Sequence, residues 1–154
     1  MQTNTKPFTP EEIAQIKNAL LDRDLWFYRY FIFALNTGLR REEILALTWH
    51  HIDIWKKSEI TVPNLKNPRF REIHAPRISI NEELLGLLLE LRSHSRWVFQ
   101  KTGKRMLGSM VTRFFREVSQ NLDIQITSER MCCTFIAMQN TQESNLYSID
   151  TPDE

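Results

Sequence analysis

The sequence predicts a mainly helical α+β domain with a small three-stranded antiparallel sheet. Three observations carry this prediction. Apolar residues recur at helical spacing in several blocks separated by turn formers. A two-residue alternation replaces that spacing only between about Glu59 and Ala75. The length, 154 residues, suits one domain with a real core.

Residues 1–7 read as a disordered lead. Thr9-Pro10-Glu11-Glu12 is a helix start, with Thr9 as N-cap, Pro at N1 and Glu at N3. Ile13, Ile16 and Leu20 make the apolar stripe of that helix. After Asp22-Arg23-Asp24 comes a nearly unbroken apolar run, Leu25 to Leu35, which fits a buried helix. Gly38 supplies the left-handed or tight geometry that ends it. A second short helix follows at once, with Ile44, Leu45, Leu47 and Trp49 on its buried side. Arg40 therefore sits at a turn between two core helices. A guanidinium held there is placed for a phosphate, or it is a structural Arg paired with Glu43.

Glu59-Ile60-Thr61-Val62 and Glu72-Ile73-His74-Ala75 alternate, with turn formers from Pro63 to Arg69 between them. They predict a β-hairpin, with a third strand near His51 to Trp55. Asn81-Glu82-Glu83 caps a leucine-rich helix, Leu84 to Leu91. Trp97-Val98-Phe99 is a short extended piece and Gly103-Lys104-Arg105 a turn. Met110, Val111, Phe114, Phe115 and Val118 repeat at helical spacing, with Arg113 and Arg116 away from the stripe. A last helix is expected from Ser128, its cap, with Met131, Phe135 and Met138 as the buried face. Ser148 to Glu154 reads as a disordered acidic tail.

The stretch Thr37-Gly38-Leu39-Arg40, Glu43-Ile44, Leu47-Thr48-Trp49, Ile52-Asp53 resembles the first signature box of the tyrosine recombinases, the phage integrase family. Several residue types match at fixed offsets. The Thr-Pro-Glu-Glu helix start is also similar to the opening of that family's catalytic domain. The resemblance covers residues 8–147 and implies an integrase-like catalytic domain incomplete at its C-terminus. It implies a phosphate-clamping role for Arg40 with support from Glu43. It also implies a general-acid role for Lys66, on the hairpin turn; on the residues alone Lys66 is equally an exposed turn lysine.

The family's second box reads His-x-Leu-Arg-His-Thr-Phe. Here Glu129-Arg130-Met131-Cys132-Cys133-Thr134-Phe135 follows Asp123-Ile124. Met131, Thr134 and Phe135 hold the register. Glu129, Cys132 and Cys133 stand where His, Arg and His are expected. The family's chemistry explains why this matters. A tyrosine hydroxyl attacks a DNA phosphodiester and forms a 3′-phosphotyrosine link, without metal or other cofactor. Two arginines hold the non-bridging oxygens as charge builds on them. A cysteine cannot replace a bidentate guanidinium, and a glutamate repels a phosphate. The nucleophile is expected after a Leu-Gly-His box, which these 154 residues do not contain. Tyr147, in Asn145-Leu146-Tyr147, has the wrong context and is not assigned. The expectation is a truncated or degenerate copy without the nucleophile.

The formal net charge is only +1, so overall charge does not announce a polyanion partner. Its distribution is more informative and fits either a polyanion binder or a solvated basic face. From Arg92 to Arg116 there are seven basic residues and no acid. The DNA-binding candidates are Arg40, Lys66, Arg69, Lys104, Arg105, Arg113 and Arg116. His50, His51, His74 and His94 show no metal-ligand spacing with the adjacent Cys132 and Cys133, so no metal is expected. Neighbouring cysteines rarely form a disulfide, which suits a reducing compartment. No signal peptide or membrane-length run is read, so the chain is expected in the cytoplasm of a bacterial or phage-infected cell, on the nucleoid when bound. The expected partners are double-stranded DNA and other recombinase subunits in a synaptic tetramer. The function implied is site-specific DNA recombination or integration, with this chain inactive alone. The alternatives are a non-catalytic DNA-binding module and a decayed integrase remnant.

Overall fold

The apolar run forms the helix around which the others pack. In the computed structural model, residues 6–63 and 76–150 are described, with side chains as far as residue 141. Helix α1 spans Pro10–Arg23 and α2 spans Leu25–Thr37. Between them Asp24 is extended and accepts the Trp26 N–H at 2.9 Å, capping α2. The Thr9–Glu12 capping box of α1 forms as expected: each residue's side chain accepts the other's backbone N–H. Leu25 itself is exposed, but Phe27, Tyr30, Phe31, Phe33 and Ala34 are fully enclosed.

Gly38 ends α2 with φ 68°, and its N–H bonds to the Ala34 carbonyl. Helix α3 is short, Arg41–Leu45. The expected helix through Trp49 stops here. Leu47 is buried beyond its end, and Trp49–His51 is a separate 3-10 turn. The chain then enters β1, Ile52–Asp53, and β2, Glu59–Thr61. The third strand, β3, is Arg77–Ser79, and the order is β1-β2-β3, all antiparallel. Ile52, Ile60 and Ile78 align across the sheet, placing one apolar row against the core. The expected partner strand Glu72 to Ala75 and the turn residues Lys66 and Arg69 lie outside the described residues.

Helix α4, Glu82–Leu91, is capped by Asn81, which accepts the Leu84 N–H at 2.8 Å. Strands β4, Gln100–Lys101, and β5, Lys104–Arg105, form a second small hairpin around the turn at Gly103. Helix α5 runs Gly108–Leu122 and α6 runs Ser128–Asp150. Phe114 of α5 stacks on Phe27 at 3.9 Å between ring centroids, and Phe115 meets Tyr30 and Phe31. Such pairs add about 0.5–1.5 kcal/mol each beyond the burial itself.

Helix α6 packs against α2. Its first turn is capped by Thr127, whose Oγ1 accepts the Arg130 N–H at 3.1 Å, and not by Ser128 as the sequence suggested. Met131 and Phe135 face inward, but Met138 is 43% exposed, so the buried face ends a turn sooner than expected. The backbone of α6 continues to Asp150. No helix among the described residues is long and apolar enough to cross a membrane.

Candidate functional site

The two boxes meet where α6 crosses the turn between α2 and α3. The Cys132 thiol donates to the Gly38 carbonyl at 3.1 Å and is 3.8 Å from the Leu39 carbonyl. The Phe135 ring lies directly against Gly38, where a β-carbon would overlap it. The glycine is thus required twice, for its positive φ and for this approach. Thr134 holds the register from the other side: its Oγ1 donates to the Arg130 carbonyl and accepts the Phe8 N–H.

This packing opens a cleft of ≈ 1000 Å³ bordered by α3, α5 and the start of α6. Arg40, Arg116, Glu129, Cys132 and Cys133 all line it. Five of the sequence candidates, from three parts of the chain, are therefore neighbours of one space. Arg40 and Arg116 are exposed. Glu43 supports Arg40, but through the backbone: its Oε1 accepts the Arg40 N–H at 2.9 Å. The guanidinium itself has no carboxylate within ion-pair distance among the described residues. The expected Glu43–guanidinium pairing is replaced by this cap because Glu43 sits at the third position of α3, where a carboxylate reaches back to the preceding N–H.

Arg41, not singled out from the sequence, also lines the cleft but is committed elsewhere. It pairs with Glu42 at 2.6 Å and donates to the Gly108 carbonyl and to Thr112 Oγ1, tying α3 to α5. Glu42 is correspondingly more acidic than usual, held by its own backbone N–H first and by Arg41 next. With Arg41 and Glu42 cancelling, the cleft keeps Arg40 and Arg116 against Glu129. Burial pushes the Cys132 thiol up; Arg40 pulls it down, while Glu43 and Glu129 add to the rise. Cys132 is therefore a neutral thiol at pH 7, a weak donor and no substitute for a cation. Burial likewise raises the Tyr30 phenol, which lines the cleft floor.

The remaining candidates lie elsewhere. Lys104 and Arg105 are exposed on β5, and Arg113 is exposed on α5, none of them lining the cleft. Lys66, Arg69 and the Tyr147 side chain are outside the described residues. The sequence reading passed over Arg130, which is 4% exposed. It donates to the Lys6 carbonyl at 3.0 Å, the Gln125 carbonyl at 2.8 Å and Glu12 Oε1 at 3.1 Å, and lies over the Phe8 ring. It fixes the end of the N-terminal lead to α6. Its place in the second box is the variable one, so no motif marks it.

The phage integrase family model matches residues 6–135. The chain belongs to the phage integrase family. It is 30% identical over 127 residues to a XerC-like tyrosine recombinase of Caldanaerobacter subterraneus, covering 71% of this chain and 32% of that protein. Against the shufflon-specific DNA recombinase of Escherichia coli it is 33% identical over 73 residues, 47% of this chain and 19% of the recombinase. The fold is that of lambda integrase bound to DNA, with a TM-score of 0.73 at 14% identity over 96% of this chain and 55% of that one. The Tn1549 transposon integrase in complex with transposon right end DNA gives 0.71 at 18% identity over 92% of this chain and 55% of that one. This integrase-family chain thus spans about a fifth to a third of these curated relatives.

Proposed function

We propose that this chain is the phosphate-holding part of a DNA recombination or integration protein. One observation carries the reading: Arg40 and Arg116 share one cleft with the second-box residues Glu129, Cys132 and Cys133. Gly38 and Glu43 hold the Arg40 backbone, so an exposed guanidinium is presented to a DNA phosphate from a fixed turn. Arg116 supplies a second positive charge on the facing helix. Lys66 and Arg69 of the β2–β3 connection, and Arg113 with Lys104 and Arg105 nearby in sequence, extend the basic contact to the DNA backbone.

The same cleft supports an expected lack of strand cleavage by this chain alone. An in-line attack on phosphorus needs donors for the charge that develops on its oxygens. Cys132 offers a weak thiol already turned to the Gly38 carbonyl, and Glu129 adds a negative charge. Losing one preorganised donor costs roughly 10²–10³ in rate. The chain therefore occupies or bridges duplex DNA in the cytoplasm, beside active recombinase subunits of a synaptic assembly, and does not itself form the phosphotyrosine link. The strand-exchange enzyme is the second reading, favoured by the intact first box; in it, another subunit supplies the missing groups.

A nicked suicide duplex, incubated with this chain with and without an active recombinase subunit and run on a denaturing gel, separates the two: only the second reading gives an adduct on this chain when the partner is present. No protein–DNA adduct is expected from this chain, nor from the Glu129→His, Cys132→Arg, Cys133→His triple variant. An adduct from the unaltered chain that disappears in Tyr147→Phe would contradict the non-cleaving reading.

A further inference from the structure

The acid-free basic stretch does not form one surface. Arg116 turns to the first cleft, while Arg92 and Arg96 line a second one of ≈ 420 Å³ beside β1. The second cleft contains no carboxylate among its lining residues, and its walls include Trp49 and Trp55. Trp55 is 77% exposed, an unusual position for a large indole. It sits on the turn between β1 and β2, followed by Lys56 and Lys57, both exposed. The turn is held firmly: the Asp53 carboxylate accepts the Lys56 N–H at 3.0 Å and the Lys57 N–H at 3.3 Å.

Two more features mark this surface. Trp49, whose buried Nε1 has no hydrogen-bond partner among the described residues, is part of the cleft wall. The Arg96 guanidinium lies 5.1 Å over the Trp97 ring, and Arg105 lies 5.3 Å from the same ring, which fixes both cations at the edge of the patch.

We propose that this second cleft binds a single strand of nucleic acid, with an unpaired base stacked on Trp55 and the flanking phosphates at Arg92 and Arg96. Aromatic planes among arginines and lysines are the chemistry of single-strand binding, since every base has a face to stack. In a duplex those faces are covered by neighbouring bases. An acidic peptide would use the cations but would leave the exposed indole without a role. The inference goes beyond the Arg40 cleft and does not depend on it.

The test uses the full 154-residue chain and a fluorescein-labelled twelve-nucleotide oligo(dT) at low salt, read by anisotropy and by quenching of tryptophan emission. Trp55→Ala is expected to weaken oligo(dT) binding roughly tenfold, and Trp55→Phe to retain most of it. Arg96→Gln is expected to lower the slope of log K against log salt by about 0.7. Arg40→Ala should leave oligo(dT) binding unchanged while weakening a duplex probe, so the two clefts fail separately. Unchanged oligo(dT) affinity in Trp55→Ala would overturn the proposal. So would equal loss in Arg40→Ala, Trp55-dependent binding of a twelve-base-pair duplex at the same affinity, or competition by a poly-glutamate peptide as effective as oligo(dT).

Discussion

Gly38 and Phe135 are in direct contact, the α-carbon of one against the ring edge of the other, although 97 positions separate them in the chain. This contact seats α6 on the turn that carries Arg40. Gly38→Ala would make a methyl group overlap the edge of the Phe135 ring and hold a β-carbon at φ 68°. The two penalties together are expected to cost about 2–4 kcal/mol. Urea denaturation followed by circular dichroism measures this; a loss under half a kilocalorie would mean that the turn has room to relax.

Arg130 is the buried cation on which the N-terminal lead depends. Arg130→Met removes donors from three carbonyls and a carboxylate within hydrogen-bond distance. The expected loss is about 2–4 kcal/mol, because the abandoned acceptors are partly desolvated. Faster proteolysis near Lys6 should accompany it. A variant as stable as the parent would show that Phe8 alone anchors the segment.

Glu12 makes the stability of this region depend on pH. The Thr9 N–H, and then Arg130, hold its carboxyl below the ordinary value of 4.5. The unfolded chain therefore binds the proton first as pH falls. The contribution is full above pH 4.5 and disappears as pH drops through the lower folded value. Glu12→Gln should flatten the stability curve in that acidic window and lower stability at pH 7. Identical pH slopes for variant and parent below pH 5 would remove this linkage.

Much of the fold was legible because its signals are local. Thr9 with Glu12, Asn81 with Leu84, and Gly38 after an apolar run each declare an element boundary within four residues. The first box was readable for the same reason: Thr37 to Asp53 is one continuous piece of chain. The sequence was less informative wherever a role depends on distant partners. Arg130 meets Lys6 across 124 positions, Arg41 meets Gly108 across 67, and neither spacing leaves a pattern. Strand β3 was missed because the alternation in Arg77-Ile78-Ser79 spans only three residues. The division of the basic stretch between two clefts was also hidden, since it depends on Arg92 and Arg96 meeting β1 while Arg116 meets α3 and α6.

Cys132 offers a chemical report on the cleft. Burial raises its pKa above the ordinary 9.0, the nearby Arg40 notwithstanding. In a Cys133→Ser background, iodoacetamide should modify Cys132 slowly at pH 7 and quickly only above pH 9. Arg40→Ala should slow it further, since the one lowering charge is removed. Rapid modification at pH 7 would mean an activated thiolate and a different role for this cysteine.

The central claim is that Arg40 holds a DNA phosphate in the cleft between α3, α5 and α6. Duplex binding titrated over a range of salt, for the parent chain and for Arg40→Ala, tests it most directly. The parent should bind weakly and lose affinity steeply as salt rises. Arg40→Ala should bind roughly 10–100-fold less tightly, with the slope of log K against log salt reduced by about 0.9, and should melt at the parent's temperature. Equal affinity and equal slope for the two proteins would contradict the account.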